Sequence, residues 1–243
     1  MLRGVDGVAL SLIERSWRAA IVVAAPEKIW VATDDQRIAD AVRAFGGQVV
    51  LTPPDCRNGT ERCAAALALL GDIAPVIVNL QGDAPLTPDF VVTDLVKALR
   101  ADPHAVMATP AIRCSPTLYR HLVSDQAQGR VGGTTVVFNR ERRALYFSKR
   151  VIPHVAADRE DAHSYVYLHL GVYAYQPQAL RSYSAAPPSQ LEQLEGLEQL
   201  RFLETGSAIR VVDFEPIGWD CLELNNPEDI PAIEAVLRQR GMR

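Results

Sequence analysis

Hydrophobic and polar positions in the first part of the chain follow two alternating patterns. Short apolar runs, typical of buried strands, cover residues 29–33, 48–52 and 76–80. Between and after them, apolar residues recur every three or four positions, as in amphipathic helices. These helix-like segments cover residues 10–20, 36–45, 60–70 and 89–100. Strands that alternate with helices through short links predict an α/β fold with a mostly parallel sheet and helices on both faces.

The pattern changes after about residue 105. The apolar runs become separated by longer polar connections that contain proline, glycine and aspartate. We predict strands at residues 106–112, 134–139, 168–175 and 209–214. We predict a long helix over residues 191–204, despite an interior glycine, and a last helix from Pro227 to Arg240. The whole chain, 1–243, is therefore interpreted as one domain with two halves, 1–105 and 106–243, the second adding a smaller subdomain.

Composition excludes several classes of function. A hydrophobic fraction of 48% over 243 residues is enough for a sizeable core. The net charge of −4 disfavours binding to nucleic acid or to an acidic membrane. No apolar run approaches membrane-spanning length, and the first residues lack the layout of a signal peptide. The four cysteines have no metal-binding spacing, which favours reduced thiols in the cytoplasm; they are Cys56, Cys63, Cys114 and Cys221.

The segment "VNLQGDAP", residues 78–85, raises a question of chemistry because an apolar strand ends directly in Gln-Gly-Asp. In parallel α/β sheets, ligands bind beyond the carboxyl ends of the strands, which is where Asp83 lies. A single carboxylate at that place suits Mg²⁺, which keeps waters and shares phosphate oxygens. The alternative is that Asp83 only caps a turn, and the octapeptide alone leaves both interpretations open.

Six motifs in order, "VATDD", "NGTERC", "VNLQGDAPL", "ALYFSKRVIP", "LHLGVYAY" and "LEQLEGLEQLRFLETG", make the chain similar to a known family. Together they resemble the 3-deoxy-manno-octulosonate (Kdo) cytidylyltransferases, also called CMP-Kdo synthetases. The resemblance implies a Rossmann-like nucleotidyltransferase fold, with a nucleotide-binding first half and a sugar-binding and dimerisation second half. It implies transfer of a cytidylyl group from CTP to Kdo, with release of pyrophosphate, for lipopolysaccharide synthesis. It also implies dependence on Mg²⁺, a homodimer and a cytoplasmic location in Gram-negative cells.

The resemblance also assigns site residues. Asp83 is implied to be catalytic and to hold Mg²⁺, which lowers the pKa of the attacking sugar hydroxyl. The implied nucleotide-binding residues are Asp34, Asn58, Gly59, Thr60, Arg62 and Gln81. The implied sugar-binding residues are Lys149, His169, Tyr173, Glu198 and Gln199. A simpler interpretation of one segment stays open, in which Thr60 and Glu61 begin a helix and Arg62 pairs on its surface.

Three departures from the family pattern bear on these expectations. The chain lacks the family's first strand and basic loop, roughly "PARxxSxRLPGKPL", so we expect the native protein to extend upstream of Met1 and the given chain to bind CTP weakly. Asn225 stands where the family has a second metal-binding aspartate, with Asp220 and Glu223 as possible substitutes. Thr135 replaces a lysine, and Lys149 stands where an arginine is usual, which removes a bidentate fork.

Two alternatives to a Kdo enzyme remain. The departures at Lys149 and Thr135 are compatible with another acidic sugar, such as a nonulosonate. The missing loop together with Asn225 and Thr135 is compatible with a non-catalytic paralogue that binds nucleotide or serves as a dimer partner. A dinucleotide-binding fold is disfavoured, because no GxGxxG follows a predicted strand.

Overall fold

The computed structural model describes residues 1–4, 6–71, 73–83, 85–156, 159–218 and 230–241. Its strands are β1 (Leu2–Arg3), β2 (Ala9–Leu10), β3 (Trp30–Thr33), β4 (Gln48–Leu51), β5 (Ile77–Leu80), β6 (Met107–Arg113), β7 (Thr135–Phe138), β8 (Ala144–Ser148), β9 (Tyr167–His169), β10 (Val172–Tyr175) and β11 (Ile209–Phe214). Its α-helices are α1 (Leu12–Ala20), α2 (Gln36–Ala44), α3 (Gly59–Leu70), α4 (Asp89–Ala101), α5 (Pro116–Ala127), α6 (Pro177–Ala185), α7 (Gln190–Glu195), α8 (Leu200–Glu204) and α9 (Ile230–Gln239). Two short 3₁₀ turns cover Pro26–Lys28 and Ala162–Tyr165.

The chain forms two compact units. The first unit consists of residues 1–75, 79–93 and 219–243, and the second of residues 76–78 and 94–218. Strand β5 and helix α4 therefore each contribute residues to both units. Among the described helices, none is both long and apolar enough to cross a membrane.

The first unit contains a parallel pair of strands and a small apolar core. Strands β3 and β4 pair in parallel, and helix α2 connects them. Asp35 caps that helix, because its carboxylate accepts a 2.8 Å hydrogen bond from the backbone N–H of Arg37. The strand hairpin of β1 and β2 packs against α9, and the fully buried members of this core are Leu2, Leu86, Ile233 and Leu237.

The second unit is built on a seven-stranded sheet of mixed orientation. Its order is β5-β10-β6-β9-β7-β8, and β11 pairs with β6 in parallel. The pairs β6–β9, β6–β10, β7–β8 and β7–β9 are antiparallel. Strand β6 is buried along nearly its whole length, as expected for a central strand. The α/β fold class is confirmed, with strands of both orientations in its larger sheet.

The predicted strand at residues 168–175 is two strands, β9 and β10, which run along the same strand β6. The register shifts by two residues between the pairs Ala111↔His169 and Ala108↔Ala174. Pro110 lies between these pairs and has no N–H to donate, so the antiparallel ladder is interrupted there, whereas the parallel ladder with β11 continues past it. The interruption leaves His169 at the end of β9.

The predicted helix over residues 191–204 is also wrong in one respect, because it is broken into α7 and α8. Gly196 has a φ of 62°, the left-handed conformation that ends helices, and the N–H groups of Gly196 and Leu197 both bond to the carbonyl of Glu192. Buried Arg201 joins the two short helices through a paired contact with Glu192, with two N–O distances of 2.6 Å. The contact between Arg201 and Glu192 therefore holds the two short helices together where the helical backbone hydrogen bonds are interrupted.

Helices α5 and α6 and strand β8 were not predicted from the sequence. Both helices begin with proline in the first turn, and Ser115 caps α5 by accepting a hydrogen bond from the N–H of Leu118. Their apolar positions are sparse, so their periodicity is weak compared with that of α1 or α2. The predicted start of the last helix at Pro227 lies outside the described residues.

Candidate functional site

Asp83 lies in the turn that follows β5, in the first unit. Its side chain is half-buried, and its Oδ1 atom is buried with no hydrogen-bond partner among the described residues. Helix α1 holds the preceding residue, because the hydroxyl of buried Ser16 donates a 2.7 Å hydrogen bond to the carbonyl of Gly82. A buried carboxylate oxygen without a donor is costly unless a ligand satisfies it. This unpaired oxygen suits a hard divalent cation.

The donor set around Asp83 is incomplete within the described ranges. There, no group of three or more His, Cys, Asp and Glu side chains is arranged to hold a metal ion. The candidate second ligand Asn225, and its possible substitutes Asp220 and Glu223, lie in residues 219–229, outside the described residues. One carboxylate fits the way Mg²⁺ is usually bound, with few protein ligands and several waters.

The segment from Asn58 to Arg62 forms the first turn of α3. Asn58 is the N-cap, and its side chain accepts a 2.9 Å hydrogen bond from the N–H of Glu61. The Glu61 carboxylate accepts in turn from the N–H of Arg57, at 2.8 Å. Thr60 is fully buried in this turn. The helix-starting interpretation of this segment therefore describes real contacts, and the nucleotide role of Asn58, Gly59 and Thr60 stays a prediction.

Arg62 connects α3 to the ends of the two parallel strands. Its Nη1 atom lies 3.1 Å from a carboxylate oxygen of Asp34, which follows β3. The same nitrogen donates a 2.7 Å hydrogen bond to the hydroxyl of Thr52, which follows β4. Because the carboxyl ends of parallel strands meet at one edge, Asp34 and Arg62 are brought together there. Gln81, the remaining nucleotide candidate, is half-buried just before Asp83.

His169 is buried in the second unit, and its environment keeps it neutral. Its Nε2 atom lies 2.9 Å from the hydroxyl of Thr109, which itself donates to the carbonyl of Val172. Since that hydroxyl has one proton, Nε2 must carry the imidazole proton, and Nδ1 is left as an acceptor. Burial lowers the pKa of His169 to about 3. A neutral imidazole with an acceptor nitrogen suits a sugar hydroxyl.

Tyr173 and Gln199 form a second buried polar pair next to His169. The rings of His169 and Tyr173 lie 5.6 Å apart, centre to centre. The Tyr173 hydroxyl donates to the Oε1 atom of Gln199 at 3.3 Å. The side-chain nitrogen of Gln199 is buried with no partner in the described part of the chain, although the residue is only 1% exposed. A native fold rarely leaves such a donor unsatisfied without a ligand.

Lys149 follows β8 at the end of the strand order. Its backbone N–H donates a 3.0 Å hydrogen bond to the Glu195 carboxylate, and its side chain is half-buried. Its ammonium has no ion pair or hydrogen bond with any described residue. Glu198 is half-buried in the turn between α7 and α8. Thr135, which stands where the family has a lysine, is fully buried and bonds to the backbone at Arg150 and Ile152.

The contacts join Asp34 to Arg62 in the first unit, and His169, Tyr173 and Gln199 in the second. Asp83 and Lys149 make no hydrogen bond or ion pair with another candidate among the described residues. The metal and nucleotide candidates that the structure describes all belong to the first unit, and the five sugar candidates all belong to the second. Sequence reasoning missed Ser16, Thr109 and Glu195, which support Asp83, His169 and Lys149 respectively. Each lies far along the chain from the residue it supports, so no local spacing indicates the contact.

Comparisons with known proteins find relatives that match most of the chain. The family described as cytidylyltransferase has a model that matches residues 9–210. The chain is 45% identical to the 3-deoxy-manno-octulosonate cytidylyltransferase of Maricaulis maris over 95% of its length and 88% of the relative. It is 38% identical to the mitochondrial enzyme of that name from Arabidopsis thaliana, over 95% and 76% of the two chains. A solved CMP:2-keto-3-deoxy-manno-octonic acid synthetase, complexed with CTP, has a TM-score of 0.80 and 32% identity over 96% of this chain and 90% of that one.

Proposed function

We propose, from the premise that the chain belongs to the 3-deoxy-manno-octulosonate cytidylyltransferase family, that it transfers CMP from CTP to Kdo and releases pyrophosphate. In this reaction the anomeric hydroxyl oxygen of the sugar bonds to the α-phosphorus of CTP. The bond from that phosphorus to the bridging oxygen of the β-phosphate breaks, and the hydroxyl proton is lost. The product supplies lipopolysaccharide synthesis.

The observation that carries the proposal is the polar group set of the second unit. Neutral His169 offers an acceptor, and Gln199 and Lys149 offer a buried donor and a cation that no described residue pairs. An acidic sugar with several hydroxyls presents the complementary groups, a carboxylate together with hydroxyls that both donate and accept. Tyr173 and Glu198 complete the set that we propose for sugar binding.

The first unit is proposed to bind the nucleotide and Mg²⁺. Asp34, Asn58, Gly59, Thr60, Arg62 and Gln81 are the proposed nucleotide residues. Asp83, with its unpaired Oδ1 atom, is the proposed metal ligand, and Asn225 the proposed second one. Bound Mg²⁺ supplies charge neutralisation on the phosphates and lowers the pKa of the sugar hydroxyl. Asp83 also orients the reacting groups, since this chemistry depends on alignment more than on a covalent nucleophile.

The proposal also covers assembly and compartment. We propose a homodimer in the cytoplasm, on the basis of family membership. Cys56, Cys63 and Cys114 are free thiols, which is the usual state in a reducing compartment. Sedimentation velocity measures the mass of the particle and decides whether it is a dimer.

Pyrophosphate release tests the proposed reaction. With CTP, Mg²⁺ and Kdo we expect turnover, and chelation of the metal should abolish it. Asp83→Ala should lower the rate by at least about 100-fold because it removes the metal ligand. Asp89→Ala, which removes an exposed carboxylate of the same unit, should leave the rate within about twofold.

Other results of the same assay would support one of the two alternatives to a Kdo enzyme. Turnover with a nonulosonate and none with Kdo would identify a different acidic sugar. Binding of CTP with no turnover on either sugar would identify a non-catalytic paralogue. An active Asp83→Ala variant would remove Asp83 from the proposed site.

A further inference from the structure

We propose that Glu195 and Gly196 are positioning residues that set the direction of the Lys149 side chain, so that its ammonium meets the carboxylate of the acidic sugar. This inference rests on the proposed function and adds two residues that the motifs did not assign. Neither is proposed to touch the substrate. They act by fixing the backbone of Lys149 and by leaving room for its ammonium.

Glu195 holds the end of β8 through three neutral donors. One carboxylate oxygen accepts a 3.0 Å hydrogen bond from the backbone N–H of Lys149. The other accepts from the hydroxyl of Ser148 at 2.8 Å and from that of Tyr146 at 3.5 Å. Burial, and then the nearby charge of Glu195, raise the pKa of Tyr146, so its hydroxyl keeps its proton.

These contacts leave the Lys149 ammonium available. Because hydroxyl and backbone donors already satisfy the Glu195 carboxylate, that carboxylate does not need the ammonium as a partner. No carboxylate oxygen of a described residue lies within 4.0 Å of the Lys149 nitrogen. An unpaired, half-buried cation in the same unit as the other sugar candidates is suited to an anionic ligand.

Gly196 provides the space that this ammonium occupies. A Cβ atom at position 196 would lie 2.8 Å from the Lys149 nitrogen, a distance that real contacts do not reach. The side chain of Lys149 therefore rests directly over the glycine that ends α7. Lysine has a flexible four-carbon stem and a point charge, without the rigid fork of arginine. Its direction must therefore be set by its surroundings. Glu195 holds the backbone N–H of Lys149, and Gly196 leaves room for its ammonium.

Nuclear magnetic resonance tests the geometry independently of activity. The sequence contains three lysines, Lys28, Lys97 and Lys149, so protein labelled with ¹³C at the lysine Cε gives three assignable signals. Gly196→Ala should shift the Lys149 signal and leave the other two in place. Gly206→Ala is the matched control, because Gly206 has a φ of 75° and a Cβ atom there would meet nothing within 4 Å. An unmoved Lys149 signal in Gly196→Ala would overturn the proposal.

Kinetics test the role in sugar binding. Glu195→Gln should raise KM for the sugar about tenfold and leave KM for CTP within about twofold, because a displaced ammonium weakens one substrate only. In a Lys149→Met background the same substitution should add less than about twofold, since the group it positions is gone. Glu204→Gln, which removes a carboxylate that accepts from the N–H of Leu191 on the same helix pair, is the control.

The outcomes separate the inference from the proposed function. An equal effect of Glu195→Gln in both backgrounds, or an equal rise of KM for CTP, would show a purely structural role and overturn the inference. Failure of the wild-type protein to use Kdo would instead count against the proposed function. The Lys149 signal in Gly196→Ala would then still decide the geometry.

Discussion

Single residues of this protein carry buried polar atoms without partners, which native folds rarely contain. Within the described residues, Asp83 and Gln199 each carry such an atom, one an acceptor and the other a donor, and so do Trp17, Asn79 and Arg210. Only Asp83 and Gln199 among these belong to the sets implied by the family resemblance, so the unpaired atom supports a ligand role only together with the motif. The physical signal is the unpaired atom, which appears only in the folded chain, whereas the motif shows only the residue type.

The buried, neutral His169 predicts how stability depends on pH. Its pKa is about 3 in the fold, against an ordinary value near 6.5. Below pH 6.5 the unfolded chain binds a proton that the folded chain excludes, so the free energy of unfolding should fall as pH is lowered from 6.5 toward 3. The contribution of this group approaches roughly 1.4 kcal/mol per pH unit.

Urea unfolding between about pH 7 and pH 5.5 measures this slope where unperturbed carboxylates stay almost fully ionised. His169→Gln should flatten it, since glutamine keeps a donor for Thr109 and does not titrate. His154→Gln, in a loop, should leave it unchanged. A wild-type slope that persists in His169→Gln would mean that other groups cause it.

At the scale of elements, local patterns decided which segments became helices, and tertiary contacts decided where some of them ended. Helix α3 has an N-cap, an acidic residue in its first turn and an alanine-rich body, so its start and end are readable from the sequence. The break between α7 and α8 depends on Gly196 and on a buried ion pair between Glu192 and Arg201. Periodicity favours one helix there, and it cannot detect a contact between residues nine positions apart.

Removing the cap of α3 should affect both stability and nucleotide binding. Asn58→Ala should lower the free energy of unfolding by about 1 kcal/mol, because the N–H of Glu61 loses its acceptor. It should also raise KM for CTP severalfold if Asn58 and Thr60 contact the nucleotide. Thermal unfolding and steady-state kinetics measure the two effects.

The matched control is Ser115→Ala, which removes a cap of the same geometry from α5 in the other unit. It should cost a similar amount of stability with no change in KM for CTP. If both variants change KM for CTP equally, the effect of Asn58 is one of stability alone. If neither changes it, the segment has no role in nucleotide binding.

At the scale of the whole molecule, the candidate residues divide between two compact units. The first unit holds Asp83 and the α3 segment, and the second, built on a mixed sheet, holds the sugar candidates. This division matches a reaction with two substrates of different chemistry. The change in the hydrophobic pattern near residue 105 reflects the change from alternating strands and helices to antiparallel pairing.

Hydrogen exchange should reveal this division. CTP with Mg²⁺ should slow amide exchange in residues 58–62 and 81–83, because ligand contacts suppress local opening. Kdo should slow exchange in residues 148–149 and 195–199. Mass spectrometry of the digested protein locates the protection, and protection by Kdo confined to the first unit would contradict the assignment of the sugar residues.

The sequence by itself determined the α/β class, the strands β3, β4, β6 and β11, the helices α2 to α4, and the resemblance that names the family. These follow from periodicity, caps and short motifs, which are properties of neighbouring residues. Only the tertiary structure decided that 168–175 divides opposite Pro110, that Gly196 ends a helix beneath Lys149, and that Ser16, Thr109 and Glu195 support the site. These depend on contacts between distant segments, and the burial that gives such contacts their strength exists only once the chain has folded.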